Sequence, residues 1–169
     1  MNRTFEFDIH NHISSIPGLI IDLAKSTVEK CCDILDVIRI KDYQQIFLIG
    51  KDIYYAAGLS VASQLESSSK VPVKVLSEKD AYEIVLNPER HFENTLSISL
   101  FPNTSDRDSL LILSSLKEKG SCVLCMTDTH PLVLRDYGFD IMWITIPAKR
   151  SELQVRHYSM ATLALVFVN

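Results

Sequence analysis

Residues 44–76 read QQIFLIGKDIYYAAGLSVASQLESSSKVPVKVL, and this stretch decides the fold. It begins with a short apolar run that ends at Gly50, a pattern typical of a buried parallel strand. Apolar residues then recur at helical spacing over residues 53–69, and a second apolar run over 71–76 predicts another strand. Two strands connected in this way through a helix predict a right-handed parallel unit.

The same alternation extends towards both ends of the chain. Helical patterns cover residues 16–38, 78–86, 105–119 and 152–168, and strand patterns cover 95–100, 121–126 and 140–146. Because strands alternate with helices, the strands are expected to run parallel and the helices to cover both faces. We therefore predict an α/β fold of three layers, a doubly wound five-stranded parallel sheet of order 2-1-3-4-5. Residues 1–15 are predicted to be an N-terminal arm and residues 16–169 the domain.

Length and composition exclude several classes of protein. The 169 residues, 47% of them hydrophobic, suffice for one domain with its own core. The net charge is -4 and Lys and Arg form no cluster, so this chain is not expected to bind nucleic acid directly. No apolar run reaches the ~18 residues of a membrane span, so no membrane partner is expected. The charged N-terminus does not resemble a signal peptide, which predicts a cytoplasmic protein.

Cys122 and Cys125 form a CxxC pair inside a predicted strand. Residues three apart on a strand point to opposite faces, so the two thiols are not expected to share a metal ion. No Cys or His pair at ligand spacing completes a metal site. We therefore expect free cysteines that pack in the core, no metal site and no cofactor.

The predicted strand order also indicates where a ligand would bind. Open α/β sheets bind ligands beyond the carboxyl ends of the strands where the strand order reverses, here between strands one and three. The two loops at that place are residues 50–55, where Gly50 permits a sharp turn, and residues 99–108. The second loop places four polar residues around a helix start, where amide groups favour an anion: Ser99, Asn103, Thr104 and Ser105. Thr104 or Ser105 as an ordinary helix cap is the alternative.

Several stretches of the chain together resemble the SIS (sugar isomerase) family over residues 17–168. Residues 46–81 resemble its first strand, glycine turn, helix and "IPV" strand, and SISLFPNTSD (97–106) stands where the family has its phosphate loop, SxSGxT. Residues 120–147 resemble the stretch that follows, and SELQVRHYS (151–159) resembles the E-x-x-V opening of the last helix. The chain is similar to the isomerase-half repeat of glucosamine-fructose-6-phosphate synthase and to the sensor domain of RpiR-type regulators.

The resemblance implies a site for a sugar phosphate. Ser99 and Thr104 match the first serine and the threonine of the phosphate loop, and Tyr54 lies near the hydroxyl residue of the first loop. Glu152 and Val155 match the E-x-x-V pattern. The sequence departs from the family where Leu100, Phe101, Pro102 and Asn103 replace Gln, Ser, Gly and Glu. The first loop also lacks the small hydroxyl residue and the second glycine.

These departures favour a role in binding or sensing a sugar phosphate, as in RpiR-type regulation of carbohydrate-derivative metabolism. One alternative is an aldose–ketose isomerase or an aminosugar-phosphate isomerase or deaminase, with Glu66 and Glu152 as the candidates for proton transfer. The other alternative is an interaction module without a ligand. Because SIS sites are commonly completed across a subunit or repeat boundary, the resemblance implies a homodimer or another homo-oligomer, or a part of a larger chain.

Overall fold

The computed structural model describes residues 13–18, 20–22, 25, 42–101, 107–127, 134, 137–143 and 162. Its elements in chain order are β1 Gln45–Gly50, α1 Ile53–Ser69, β2 Val73–Ser77, α2 Glu78–Leu86, β3 Thr95–Leu100, α3 Arg107–Glu118, β4 Cys122–Thr127 and β5 Asp140–Trp143. Residues 13–18, 20–22 and 25 are helical and precede β1, and residue 162 is helical as well. The rest of the predicted last helix lies outside the described residues.

The five strands form one parallel sheet of order β2-β1-β3-β4-β5, which confirms the predicted topology. Helices lie on both faces, since α1 packs on one side while α2 and α3 pack against each other on the opposite side. The three-layer α/β fold predicted from the alternation of patterns is thus confirmed. β1 lies between β2 and β3 in this sheet and carries Gly50 at its carboxyl end.

Alternation along the strands sorts the buried residues into two cores. The core on the α1 side, called here the α1-side core, takes the strand residues Ile46, Leu48, Leu96, Ile98, Leu100, Leu124 and Met126. The core on the other face, the α2–α3-side core, takes the strand residues Phe47, Ile49, Leu76, Val123 and Cys125. Because both faces are covered, every residue of β3 is buried, and the sequence of this strand is apolar or small on both faces.

The two strand cysteines lie on opposite faces of the sheet, as their spacing predicts. Cys122 packs against the α1-side core, whereas Cys125 lies fully buried in the α2–α3-side core. Both are free thiols. Burial raises the pKa of the Cys125 thiol to about 11, and a hydrogen bond with Ser99 offsets this only in part. The thiol of Cys125 is therefore neutral at physiological pH and behaves as a small core side chain.

Helix α2 begins directly at the end of β2 because Ser77 closes a capping box with Asp80. The Ser77 hydroxyl accepts from the Asp80 amide at 3.1 Å, and the Asp80 carboxylate accepts from the Ser77 amide at 3.3 Å. The Ser77 hydroxyl also donates to the Asp80 carboxylate at 2.7 Å, and this hydrogen bond, together with that from the Ser77 amide, holds the pKa of the Asp80 carboxyl below its usual value. With no loop between strand and helix, Glu78 is fixed at the carboxyl edge of the sheet.

The described part of the chain contains neither a membrane-length apolar helix nor a cluster of metal ligands. None of its helices is long and apolar enough to cross a membrane. Within the same residues, no group of His, Cys, Asp and Glu side chains is arranged to hold a metal ion.

Candidate functional site

The predicted site lies at the carboxyl edge of the sheet, where β1 ends between its two neighbours. Gly50 pairs with Ser77 of β2 on one side and with Leu100 of β3 on the other. The chain leaves β1 towards α1 and leaves β3 towards α3, so the two connections diverge to opposite faces. Doubly wound sheets bind ligands at the place where neighbouring connections diverge in this way. Residues 102–106 of the second loop lie outside the described residues.

Gly50 occupies a position where any side chain would collide with backbone. A Cβ atom at this residue would lie 2.6 Å from both the carbonyl carbon of Tyr54 and the amide nitrogen of Tyr55. The start of α1 therefore runs directly against the end of β1. The turn is closed by the Tyr54 amide, which donates to the carbonyl oxygen of Lys51 at 3.0 Å. Gly50 is thus a structural requirement of the loop as well as a predicted site residue.

Asp52 has a backbone conformation that ordinarily requires glycine. Its φ is 50° and its ψ is -116°, and its exposed side chain makes no capping hydrogen bond with α1. The SIS resemblance implies a second glycine in this loop, which the sequence lacks. The positive φ of Asp52 is the conformation for which glycine is preferred. The loop keeps its turn, but the backbone of Asp52 is strained. The strain energy of such residues is about 1–3 kcal/mol.

We expect the substitution Asp52→Gly to raise the stability of the protein. Removal of the strain, less the larger conformational entropy of unfolded glycine, leaves a gain of about 1 kcal/mol. For a chain of this length the gain corresponds to a rise in Tm of roughly 2–4 °C, which differential scanning calorimetry resolves. Asp52→Ala removes the same carboxylate but keeps a Cβ atom, so this control should give no such rise. Equal Tm values for both variants would contradict the strain at Asp52.

Tyr54 and Ser99, both predicted to bind the sugar phosphate, pack inside the protein. The Tyr54 side chain is part of the α1-side core. Ser99 is fully buried on the opposite face, and its hydroxyl donates to the carbonyl oxygen of Leu124 at 3.3 Å. Ser99 also pairs with Cys125 of β4, one residue before the end of β3. The structure therefore gives both side chains a role in the core.

Phe101 stands where the SIS loop has its second serine, and its side chain is only 1% exposed. It packs in the α2–α3-side core, and its amide donates to the carbonyl oxygen of Met126 at 3.3 Å. An aromatic ring that fills the core at this position cannot present a hydroxyl to a ligand. The apolar substitution seen in the sequence is thus accommodated by burial.

Three polar residues that the sequence interpretation did not single out meet at the carboxyl edge. The ammonium group of Lys51, which follows β1, lies 3.0 Å from Oε2 of Glu78, which follows β2. The hydroxyl of Ser109, in the first turn of α3, donates to Oε1 of the same carboxylate at 2.9 Å. Lys51, Glu78 and Ser109 are called here the edge cluster. It connects the three segments that leave β1, β2 and β3.

The edge cluster lies between bulk solvent and the core. The side chain of Lys51 is 49% exposed and that of Glu78 is 17% exposed, while Ser109 is buried. The sequence feature that could have indicated the edge cluster is the lysine directly after the glycine of the first loop. Glu78 and Ser109 lie 27 and 58 positions further along the chain, and only packing brings the three residues together.

The other predicted site residues are not brought to this edge within the described part of the chain. Glu66 lies in the last turns of α1, and its carboxylate oxygen Oε2 accepts from the Val73 amide at 3.0 Å. Val73 is the first residue of β2, so Glu66 lies at the amino edge of the sheet, opposite Gly50. The remaining predicted residues lie outside the described residues: Asn103, Thr104, Ser105, Glu152 and Val155.

Solved structures of sugar-phosphate proteins share this fold. Tagatose-6-phosphate ketose/aldose isomerase from Escherichia coli superposes with a TM-score of 0.74 at 16% identity, over 94% of this chain and 46% of that one. The protein c3406 of E. coli CFT073, solved in complex with a sugar phosphate, gives 0.73 at 15% identity, over 99% and 92% of the two chains. The sugar isomerase domain of the RpiR transcription factor from Sphaerobacter thermophilus gives 0.64 at 18% identity, over 95% and 86%.

These similarities are structural. No protein-family model matches the sequence, and no curated protein matches it. At the identities observed, the likeness shows the fold, and it confirms the structural resemblance to phosphosugar isomerases and to an RpiR sugar isomerase domain predicted from the sequence. The chain spans less than half the length of several matching structures: 46% of the tagatose-6-phosphate isomerase from E. coli, and between 43% and 48% of three further phosphosugar isomerase structures.

Proposed function

We propose that this chain is a sugar-phosphate-binding SIS domain that acts as a sensor, in the manner of the regulatory domains of RpiR-type proteins. The observation that carries the proposal is the edge cluster, which places the Lys51 ammonium at the switch point of a sheet shared with sugar-phosphate proteins. A half-exposed cation at this place attracts an anionic ligand, and the hydroxyls of the 102–106 loop would add hydrogen bonds. The sugar-phosphate complex of c3406 supports a phosphorylated sugar as the ligand class.

Two features favour binding over catalysis. Glu66, the proposed proton-transfer residue of α1, has its carboxylate engaged with the Val73 amide at the amino edge of the sheet. Isomerisation requires a base within about 3 Å of the proton that it removes, or one water away. The second feature is the burial of Ser99 and Phe101, whose positions in the SIS loop otherwise contribute hydroxyl groups to the phosphate. Catalysis needs the substrate to be positioned precisely, whereas attraction of an anion does not. Loss of such contacts therefore harms catalysis more than binding.

We further propose that residues 16–169 form the domain, that it acts in the cytoplasm, and that it works as a homo-oligomer or as part of a longer chain. The lengths of the structural neighbours support the last point, since several of them are about twice as long as this chain. In such an assembly Glu152 and Val155, from the E-x-x-V pattern, would contribute to the sugar site. Sedimentation of the isolated chain would test the oligomer.

The proposed function is tested by a thermal-shift panel of pentose, hexose and aminohexose phosphates, each paired with the same sugar without its phosphate. A ligand at 100 times its Kd stabilises the folded state by about 2.7 kcal/mol, which raises the Tm of a chain of this length by roughly 5–10 °C. We expect a rise with at least one phosphorylated sugar and none with its unphosphorylated partner. NMR of the same mixtures would detect turnover, which would favour the isomerase alternative. Absence of any shift across the panel would overturn the proposal.

A further inference from the structure

We propose that Glu66 and Asp80 keep the free edge of the sheet from pairing with a second copy of this chain. β2 is the first strand in the sheet order, and among the described strands it pairs only with β1. A strand with a neighbour on one side carries a row of backbone groups to which another strand can bind. The carboxylates of Glu66 and Asp80 each bind one of these groups, and the two residues are called here the amide caps.

The register of β2 determines which of its backbone groups face outwards. The carbonyl oxygen of Pro72 accepts from the Ile46 amide at 2.9 Å, so Pro72 faces β1. Because the direction of hydrogen bonding alternates along a strand, the amides and carbonyls of Val73, Val75 and Ser77 face away from β1. The outer edge of β2 therefore offers the amides of these three alternate residues.

The outer side of β2 is accessible to another molecule. A groove of about 400 Å³ lies beside the strand, and its lining includes Lys74, Val75 and Glu83. Lys74 and Glu83 are both exposed. The described part of the chain places no further strand on this side of the sheet. A strand of a second copy could thus reach the edge, and it would bind there if the outward amides were available.

The amide caps take the two end amides of this edge. The Val73 amide donates to Oε2 of Glu66 at 3.0 Å, and the Ser77 amide donates to Oδ2 of Asp80 at 3.3 Å. One cap comes from the helix before β2 and the other from the helix after it. Of the outward amides of β2, only that of Val75 is left to donate to an incoming strand. One such hydrogen bond favours association by a factor of only about 2 to 10, which does not hold two chains together.

The test compares two double variants of the full chain. Glu66→Ala with Asp80→Ala removes both acceptors, whereas Glu66→Gln with Asp80→Asn removes the same charges but keeps an oxygen at each amide. In both variants α2 keeps Ser77 as its cap, because the backbone amide of residue 80 that donates to the Ser77 hydroxyl is unchanged. Sedimentation velocity over a range of protein concentrations measures self-association, and amide hydrogen exchange followed by NMR identifies the surface involved.

We expect the alanine variant to associate beyond the state of the wild type, with a dissociation constant lower by a factor of at least about 10. Protection of its Val75 amide from exchange should rise with protein concentration. The glutamine and asparagine variant should behave as the wild type does. Addition of Val75→Pro to the alanine variant should abolish the association, because proline removes the remaining outward donor without breaking a hydrogen bond to β1.

Equal self-association of the two double variants would overturn the proposal, because charge and not the occupied amides would then keep the copies apart. Absence of association in a folded alanine variant would overturn it as well. If the alanine variant does not fold, Glu66→Ala is compared with Glu66→Gln, since both leave α2 unchanged. A difference of about 2- to 10-fold in the dissociation constant is then expected, and equal values would contradict the role of Glu66. No ligand takes part in these measurements, so their outcome leaves the proposed function intact.

Discussion

Substitution of Gly50 by alanine is expected to reduce the free energy of unfolding by about 3 kcal/mol, because the added methyl group meets backbone that cannot move by itself. The new Cβ would lie 2.6 Å from the Tyr54 carbonyl carbon and the Tyr55 amide nitrogen, and 2.9 Å from the Tyr54 carbonyl oxygen. Relief requires a shift of the whole start of α1. Ala57, Val61 and Leu65 are buried in the α1-side core and hold that helix in place.

Gly58→Ala provides the matched control, since it adds the same methyl group within α1 itself, the helix that Gly50 contacts. Its Cβ would lie 3.1 Å from Cγ1 of Val75, a side-chain atom, so relief requires a shift of a few tenths of an ångström and no movement of backbone. Alanine also gains up to about 1 kcal/mol over glycine inside a helix, so we expect this change to be close to neutral. Urea denaturation of both variants measures the difference. Similar losses for Gly50→Ala and Gly58→Ala would show that the turn after β1 is not as tight as described.

The fold could be predicted from the sequence because its signals are local and repeated. The inner strands β1, β3 and β4 are buried on both faces and so read as short apolar runs, while each helix keeps its own spacing. Alternation of the two then leaves few topologies for the sheet. The one structural inference about side chains that rested on the same periodicity, the opposite faces of Cys122 and Cys125, is confirmed as well.

The candidate site was harder to predict because its residues come from separate segments. Lys51, Glu78 and Ser109 share no motif, and each is an ordinary residue at the start of a loop or helix. The burial of Ser99 depends on the register of β3 with β4, since it pairs with Cys125 inside the sheet and not with a loop. A family pattern identifies where β3 ends, but it does not identify the last residue of β3 whose side chain is buried.

The position of Glu66 could be predicted from helix geometry. It follows the first residue of α1, Ile53, by 13 positions, which at 1.5 Å per residue places it about 20 Å along the helix axis. Since α1 starts at the carboxyl edge and returns to the start of β2, its later turns belong to the amino edge. The rise of the helix thus separates Glu66 from the loops after β1 and β3 within this chain.

Substitution of Phe101 by serine, the residue of the SIS loop, is expected to destabilise the protein by about 3–5 kcal/mol. The ring is 1% exposed in the α2–α3-side core, so its removal leaves a cavity in that core. The serine hydroxyl would add a buried polar group that costs about 1–3 kcal/mol if no partner reaches it. Urea denaturation at 25 °C measures the loss. Phe101→Leu, which keeps most of the apolar volume, should lose considerably less.

The same variant separates two accounts of the loop after β3. If Phe101 had simply replaced a phosphate contact, Phe101→Ser would restore the contact and tighten the binding of a sugar phosphate. Because the chain at this position is directed into the core, with the Phe101 amide donating to the Met126 carbonyl, we expect no gain in affinity. Tighter binding with unchanged stability would contradict the buried position of Phe101. With this position committed to the core, we expect the half-exposed Lys51 to be the principal contact for an anion among the described residues at the carboxyl edge of the sheet.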